Sequence, residues 1–325
     1  MQAFTATQDV DSENGISAKL GRHGASLSGL AESGLLVRPL DELDLGRVRD
    51  LRSIVRWSAD PRAFDLLRGS RDARWTVAQA PDGSLAGMVG AVPLGAVGVL
   101  CHLAVHNDYR GLGLGVGLST WATAYLRSSG ARLIRLYSTR QAERLYASLG
   151  FEPIAPRTVY RLERLTGGTL CQERTNGHRV ATMLLQDLPE VYGLDRWSYE
   201  ADRSALIFAV LRLHPGGGLV ARDPSGRMKG FLIRSSSPRA TRIGPFLASA
   251  PEVARLLLSH ALRDSGPGKP FEVISTSGWS PARDLLEEFG FTGRPDRLCM
   301  ELGDAPAFPG STALAHYGTT PYLAT

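Results

Sequence analysis

Apolar positions in this chain fall into short blocks whose spacing switches between two periods. The run Leu35–Leu40 reads as a strand, closed by Pro39 and by Asp41, a residue suited to cap a helix. From there Leu43, Val48, Leu51, Ile54 and Val55 recur at roughly helical intervals as far as Trp57. Trp75–Ala80 and Ala86–Val92 read as two strands joined by the turn Pro81-Asp82-Gly83. Val97–Val105 is another strand, and Gly115–Arg127 returns to helical period. A strand over Arg132–Tyr137, a helix over Gln141–Leu149 and a closing strand over Val159–Leu162 complete a β-α-β-β-β-α-β-α-β order. That order predicts an α/β layout (α+β type) with one central mixed sheet.

The same order starts again downstream. His178–Leu188 opens it, and Leu219–Arg222, the turn Asp223-Pro224-Ser225-Gly226 and Met228–Ile233 repeat the earlier hairpin. Ala240–Leu247 is then a strand, Pro251–Leu262 a helix and Phe271–Ser275 a strand. The clearest echo is that of Ala142-x-x-Leu145-x4-Gly150-Phe151 in Ala282-x-x-Leu285-x4-Gly290-Phe291, with the same internal spacing 140 residues on. Two tandem domains of one fold are expected, over residues 35–165 and 166–304. Flanking them are a Ser-, Gly- and Ala-rich tail over residues 1–34 and a C-terminal tail over residues 305–325. The second tail holds Phe308, His316, Tyr317 and Tyr322 among Gly, Pro and Thr, and either folds back as a lid or stays disordered.

A length of 325 residues with 43% hydrophobic content supplies enough apolar material for two cores. No apolar run reaches the roughly 18 residues of a membrane-spanning helix. Residues 1–15 carry neither the basic nor the apolar segment of a secretory signal. Cys101, Cys171 and Cys299 are spaced for neither a metal site nor a disulfide framework, so a reducing, cytoplasmic setting and no metal are expected. The net charge of +5 comes almost wholly from arginine, since only Lys19, Lys229 and Lys269 are lysines. These arginines stand singly, away from the aromatics that base stacking would use, so no nucleic-acid partner is expected. Anionic small molecules stay open as partners.

One segment carries chemistry of its own. Tyr109-Arg110-Gly111-Leu112-Gly113-Leu114-Gly115-Val116-Gly117 lies between a predicted strand and a predicted helix, with four glycines at alternate positions. Glycine lets the backbone turn sharply or approach a ligand closely. The helix that follows points unpaired N–H groups and its positive dipole end into that turn, a combination suited to a pyrophosphate. It is not the dinucleotide fingerprint, whose third glycine or alanine would fall on Val116 or Leu118, and it is not a Walker loop, which would need a lysine.

In these residues the first half resembles the GNAT acyltransferase superfamily. Arg110, Gly113 and Gly115 match its Arg/Gln-x-x-Gly-x-Gly/Ala signature, and Leu103-Ala104-Val105 and Leu145-Tyr146-x3-Gly150-Phe151 match its two other recurrent segments. The resemblance covers roughly residues 35–163 and implies tandem GNAT-like domains, each a central, mostly antiparallel mixed sheet flanked by helices. It implies acetyl-CoA or another acyl-CoA as co-substrate. Backbone N–H groups of Arg110, Gly111, Leu112, Gly113, Leu114, Gly115 and Val116 would hold its pyrophosphate, and its pantetheine arm would lie along Leu103, Ala104 and Val105 in a splay between two strands.

Acyl transfer to an amine needs a deprotonated amine, a stabilised oxyanion and a proton for the departing thiolate. Tyr146 stands where the superfamily places its general acid, and a phenol, with a reference pKa of about 10, is protonated at neutral pH. The oxyanion would meet backbone N–H groups near Leu103–Val105, where members of the superfamily bulge this strand. His102 is the first candidate for the base, in a place where many relatives carry a carboxylate, and His106 is the second. An amine arriving neutral would need no base. Thr139 departs from the asparagine that relatives often show.

The second half keeps the scaffold without the chemistry. Leu247-Ala248-Ser249-Ala250-Pro251 replaces the arginine-glycine loop, and Leu286 stands in place of Tyr146. With Ile243-Gly244-Pro245-Phe246 and Ala254-x-x-Leu257-Leu258, it resembles the degenerate C-terminal domain of bacterial two-domain GNAT proteins. That implies a role in shaping the acceptor pocket or completing the fold. The leading expectation is an N-acyltransferase, most simply an N-acetyltransferase, in which a small-molecule amine attacks the donor directly. A non-catalytic acyl-CoA sensor, and an enzyme drawing on a carrier-bound or non-acetyl donor, are the alternatives. A homodimer stays open, and no membrane partner is expected.

Overall fold

The computed structural model describes residues 34–57, 62–164, 177–263, 268–276, 280–304 and 315–318. Nearly all of the expected N-terminal tail, Cys171, Phe308 and Tyr322 lie outside them. The first half runs β1 (Leu36–Pro39), α1 (Leu45–Ile54), α2 (Arg62–Arg68), β2 (Arg74–Gln79), β3 (Leu85–Leu94), β4 (Val97–Val105), α3 (Leu114–Ser128), β5 (Leu133–Ser138), α4 (Glu143–Ser148) and β6 (Glu152–Leu162). The second runs β7 (Arg179–Thr182), α5 (Leu188–Tyr199), α6 (Ser204–Leu213), β8 (Gly218–Arg222), β9 (Met228–Ser236), β10 (Thr241–Ala248), α7 (Pro251–Arg263), β11 (Phe271–Ser275), α8 (Ser280–Glu288), β12 (Thr292–Gly303) and β13 (Ala315–Gly318). Local signals act as their chemistry dictates. The Asp41 carboxylate accepts from the Leu43 N–H at 2.9 Å, opening a 3₁₀ turn before α1. Gly83, at φ +85°, closes the β2–β3 hairpin.

The described residues form a thirteen-stranded sheet in the order β1-β2-β3-β4-β5-β12-β6-β11-β10-β9-β8-β7, with β13 on β10. The sheets of the two halves are thus continuous, and they are joined by exchange. The strands that close the repeat in each half, β6 and β12, are exchanged: β12 pairs with β5 of the first half, and β6 pairs with β11 of the second. Between them β6 and β12 run antiparallel, with Glu152 opposite Glu301 and Arg161 opposite Thr292. Each residue of β6 therefore has its counterpart 140 positions later in β12, the offset of the sequence echo, and a pseudo-twofold axis passes between the strands.

The echo itself builds the crossing. Helices α4 and α8 end at Gly150 (φ +86°) and Gly290 (φ +84°), and the next amides fold back in the same way. Phe151 N–H donates to Tyr146 O at 3.0 Å, and Phe291 N–H donates to Leu286 O at 2.9 Å.

Charge favours the exchanged arrangement. Arg135 on β5 stands opposite Glu301 on β12 with Nε–Oε1 at 2.6 Å, and Glu272 on β11 stands opposite Arg161 on β6 with Oε1–Nη1 at 2.6 Å. Were each half to keep its own closing strand in the same register, Arg135 would face Arg161 and Glu272 would face Glu301. Like charges directly opposite are unfavourable by about 0.2–1 kcal/mol per pair, and opposite charges are favourable by a similar amount.

One face of the sheet carries a core common to both halves. Val48, Leu51, Phe64 and Trp75 belong to the same apolar cluster as Val191, Leu206, Ile207 and Phe231, so α1 and α2 share it with α5 and α6. On the other face the cores are separate. Helices α3 and α4 cover the first (Leu118, Leu126, Phe151), and α7 and α8 cover the second (Leu257, Leu258, Leu286). Met300 of β12 joins the former, and Leu162 of β6 joins the latter.

Residues 34–165 produced alone are expected to give no folded monomer, because β5 loses its partner and its substitute, β6, brings Arg161 against Arg135. Light scattering and circular dichroism check this, and co-production with residues 166–325 should restore a single species with a cooperative melt.

Candidate active site

The irregularity expected in β4 is present. Gly90 pairs with Cys101 and Met88 with Ala104, so Val89 alone faces His102 and Leu103 together. This is a bulge, and it places His102 at φ +53°. β4 runs parallel to β5 only from Val97↔Leu133 to Val99↔Arg135, beyond which the two strands separate. A cavity of about 760 Å³ opens in that splay, walled by Leu103, Ala104 and Val105 on one side and by Tyr146 on the other.

The glycine loop closes one end of the same cavity. Gly111 (φ +79°) and Gly113 (φ +77°) hold left-handed backbone that favours glycine, and Gly113 is the N-cap of α3. It offers no side-chain cap, so the first-turn amides of α3 open into the cavity, whose wall includes Gly111, Gly113, Leu114, Gly115 and Val116. A Cβ at Gly115 would lie 2.8 Å from Leu145 Cδ1, so glycine there also lets α4 approach. Arg110 turns back toward the strand, its Nε 3.4 Å from Val105 O, and Leu112 is exposed. An uncapped helix start, two left-handed glycines and an open strand edge fit the diphosphate and amide-bearing arm that the sequence resemblance implies.

The Tyr146 side chain is buried, packed edge-on against Phe151 with 5.7 Å between ring centres. Burial pushes its hydroxyl well above the ordinary phenol pKa, with Cys101 adding to the rise and Arg297 opposing it, so the proton stays on at neutral pH. Burial likewise pushes the Cys101 thiol up, leaving an unreactive thiol beneath the site.

His102 has surroundings the sequence does not disclose. Its ring lies among Trp57, Phe64 and Trp75, at 5.6, 5.8 and 5.3 Å between centres. Nδ1 is 3.3 Å from Arg52 Nη1. A guanidinium only donates, so Nδ1 accepts and Nε2 carries the proton of the neutral ring. Burial, then Arg52 and Arg297, lower the pKa to about 3. A ring so placed is a poor proton acceptor near pH 7, unlike the near-neutral histidine expected from sequence. The second candidate, His106, caps a 3₁₀ turn by accepting from Asp108 N–H at 3.2 Å and is not on the cavity wall. Thr139 is on the wall.

A charged wall residue from the other half escaped the sequence reading. Arg297 comes from β12 and reaches the first half's cavity through the strand exchange. Only recognition of β12 as a strand exchanged into the first half's sheet could have found it, and Pro295 and Asp296 hide that strand's periodicity.

The second half repeats the splay and fills it. β10 runs parallel to β11 only from Thr241↔Phe271 to Ile243↔Val273. Gly244 and Pro245 then face one residue of β9, the counterpart of the β4 bulge. Past that point the free edge of β10 pairs with β13, Leu247 opposite His316 and Ala248 opposite Ala315. Of the expected C-terminal tail, Ala315–Gly318 are described, and they form a strand on β10. Helix α7 starts at Pro251, which has no N–H to offer.

Among the described residues no helix is long and apolar enough to cross a membrane, and no group of side chains is arranged to hold a metal ion. Residues 71–153 match a family model described as an acetyltransferase (GNAT) domain, and residues 191–307 match a second model of the same description. The chain is 22% identical over 213 residues to an uncharacterized N-acetyltransferase, YitH, of Bacillus subtilis (strain 168), covering 66% of this chain and 72% of that protein. Its fold is similar to that of a putative acetyltransferase from Pyrococcus horikoshii, with TM-score 0.71 and 18% identity over 90% of this chain and 96% of the other. It is also similar to that of a tandem GNAT protein from the clavulanic acid biosynthesis pathway, with TM-score 0.62 and 16% identity over 84% and 99%.

Folding keeps His102 neutral, whereas the unfolded chain protonates it below about pH 6.5. Its contribution to stability is therefore complete above that pH and is lost as pH falls toward about 3. Between pH 7.5 and 5 the loss is about 2 kcal/mol. Urea unfolding at pH 7.5 and pH 5 should show this loss in the wild type and a much flatter response in His102→Gln.

Proposed function

The chain belongs to the GNAT acetyltransferase superfamily, with two such domains in tandem, and on that premise we propose that the first half is an N-acyltransferase carrying an acyl group, most simply acetyl, from acyl-CoA to the amine of a small molecule. The observation that carries this reading is the joining of three features in one cavity: the uncapped start of α3 with its left-handed glycines, the bared edge of β4, and the buried hydroxyl of Tyr146. The amides of Arg110, Gly111, Leu112, Gly113, Leu114, Gly115 and Val116 would hold the diphosphate, and the edge formed by Leu103, Ala104 and Val105 would hold the pantetheine amides. When bound, the co-substrate supplies an activated acyl thioester and a thiolate leaving group.

Within that arrangement the side chains divide the proton work. Tyr146 keeps its proton until the C–S bond breaks and gives it from Oη to the sulfur, then recovers one from solvent. His102 serves as a fixed donor through Nε2 rather than as the base, its orientation set by Arg52. The amine then enters neutral, forms the C–N bond and releases its proton to water. In the second half, Leu286 in place of Tyr146 and β13 in place of an open edge suit that domain to a supporting role.

Tyr146→Phe is expected to lower kcat by about a hundredfold or more while leaving acyl-CoA affinity within a few-fold of wild type. Thiol release with an amine panel reads the first quantity, and calorimetry reads the second. Unchanged kcat would remove Tyr146 from the chemistry, and absence of acyl-CoA binding would remove the whole reading.

A further inference from the structure

Arg297 and Arg157 are counterparts, 140 residues apart, and they face each other directly across the β6–β12 ladder at the pseudo-twofold axis. Their neighbours differ. Arg157 makes a two-pronged salt bridge with Asp296, Nε–Oδ1 at 2.8 Å and a second bond from Nη2 to Oδ2. The residue that corresponds to Asp296 on β6 is Pro156, so symmetry supplies no such partner to Arg297. Among the described residues no carboxylate forms a salt bridge with it, and its Nε is buried without a hydrogen-bond partner.

The charge is also placed where the reaction would occur. Arg297 lies close enough to His102 and to Tyr146 for its charge to act on both rings. The charged side chains on the cavity wall are Arg110, Arg140 and Arg297, with no Asp or Glu among the described wall residues. Burial and the Arg157 charge opposite weigh against the Arg297 guanidinium, Asp296 offsets them only in part, and a carboxylate entering the cavity would offset the rest with two parallel hydrogen bonds.

We propose that Arg297, lent by the second half, anchors a carboxylate borne by one of the two reacting substrates, so that the enzyme acts on an amino-acid-like acceptor or transfers a dicarboxylic acyl group. The assignment rests on the acyltransferase reading above. It gives the second half a direct part in substrate selection, and it gives a use to the arginine that lacks the salt bridge its counterpart makes.

The test uses the full chain and two matched comparisons. Acetyl-CoA is offered with glycine, β-alanine and 4-aminobutyrate, each against its amide, and benzylamine is offered with succinyl-CoA against acetyl-CoA. CoA release gives kcat/KM, and calorimetry on CoA-loaded protein gives affinity for the amine probes. The expected result is at least a tenfold preference for the carboxylate member in one comparison. A preference among acceptors places the carboxylate on the amine, and one among donors places it on the acyl group. That preference should fall to near one in Arg297→Gln and in Pro156→Asp, which supplies the missing counterpart of Asp296, and should partly survive in Arg297→Lys. Acetyl-CoA affinity should be unchanged throughout.

Ratios within threefold of one in both comparisons, or a preference that survives Arg297→Gln, overturn the proposal. If acetyl-CoA still binds and turns over in that case, the acyltransferase reading stands. If acetyl-CoA does not bind, both fall together.

Discussion

Two ion pairs of opposite polarity, Arg135–Glu301 and Glu272–Arg161, hold the molecule in its exchanged state. Each joins a strand of one half to the closing strand of the other, and each would become a clash of like charges if the halves closed on themselves. The energies are small per pair, but they act on a choice between two nearly equivalent pairings, where a few kcal/mol select one. From that choice follow the continuous sheet, the core shared by helices of both halves, and the delivery of Arg297 to a cavity built otherwise by the first half.

The internal symmetry makes the differences between the halves informative. Both splay the same pair of parallel strands, both interrupt the neighbouring ladder at the same place, and both end a helix on a left-handed glycine before the crossing strand. In the first half the splay is open, the helix start lacks a side-chain cap and a phenol faces the gap. In the second the gap is taken by the chain's own residues Ala315–Gly318, a proline begins the helix and a leucine replaces the phenol. One scaffold thus has its strand gap filled by the chain itself in one copy and left open in the other.

Much of this was legible in the chain. Period and turn residues located β2 through β5 closely, and the loop around Gly113 carried its own physical meaning because left-handed backbone at a helix start demands glycine. The echo around Gly150 and Gly290 marked the repeat but not its geometry. β12 went unseen because Pro295 and Asp296 break its alternation, and β6 was seen only at its end because Pro153 and Pro156 do the same; both strands tolerate these residues at or near bulges in their shared ladder. Helices α5 and α6 were missed where their apolar residues serve a core shared with the other half. The surroundings of His102 were the least legible feature of the site. Its residue type suggested a proton acceptor, but the Arg52 guanidinium and three aromatic rings, none adjacent in sequence, decide its protonation.

The crossing of β6 and β12 also sets a schedule for the newborn polypeptide. While the ribosome is still adding residues 166–291, the first half has every element except the strand that seals its sheet, so the edge of β5 waits exposed for well over a hundred further additions. An unsealed edge of that kind invites pairing with a neighbouring nascent copy, and Arg135, a lone cation set on it, is the sort of residue that discourages such encounters until Glu301 emerges to meet it.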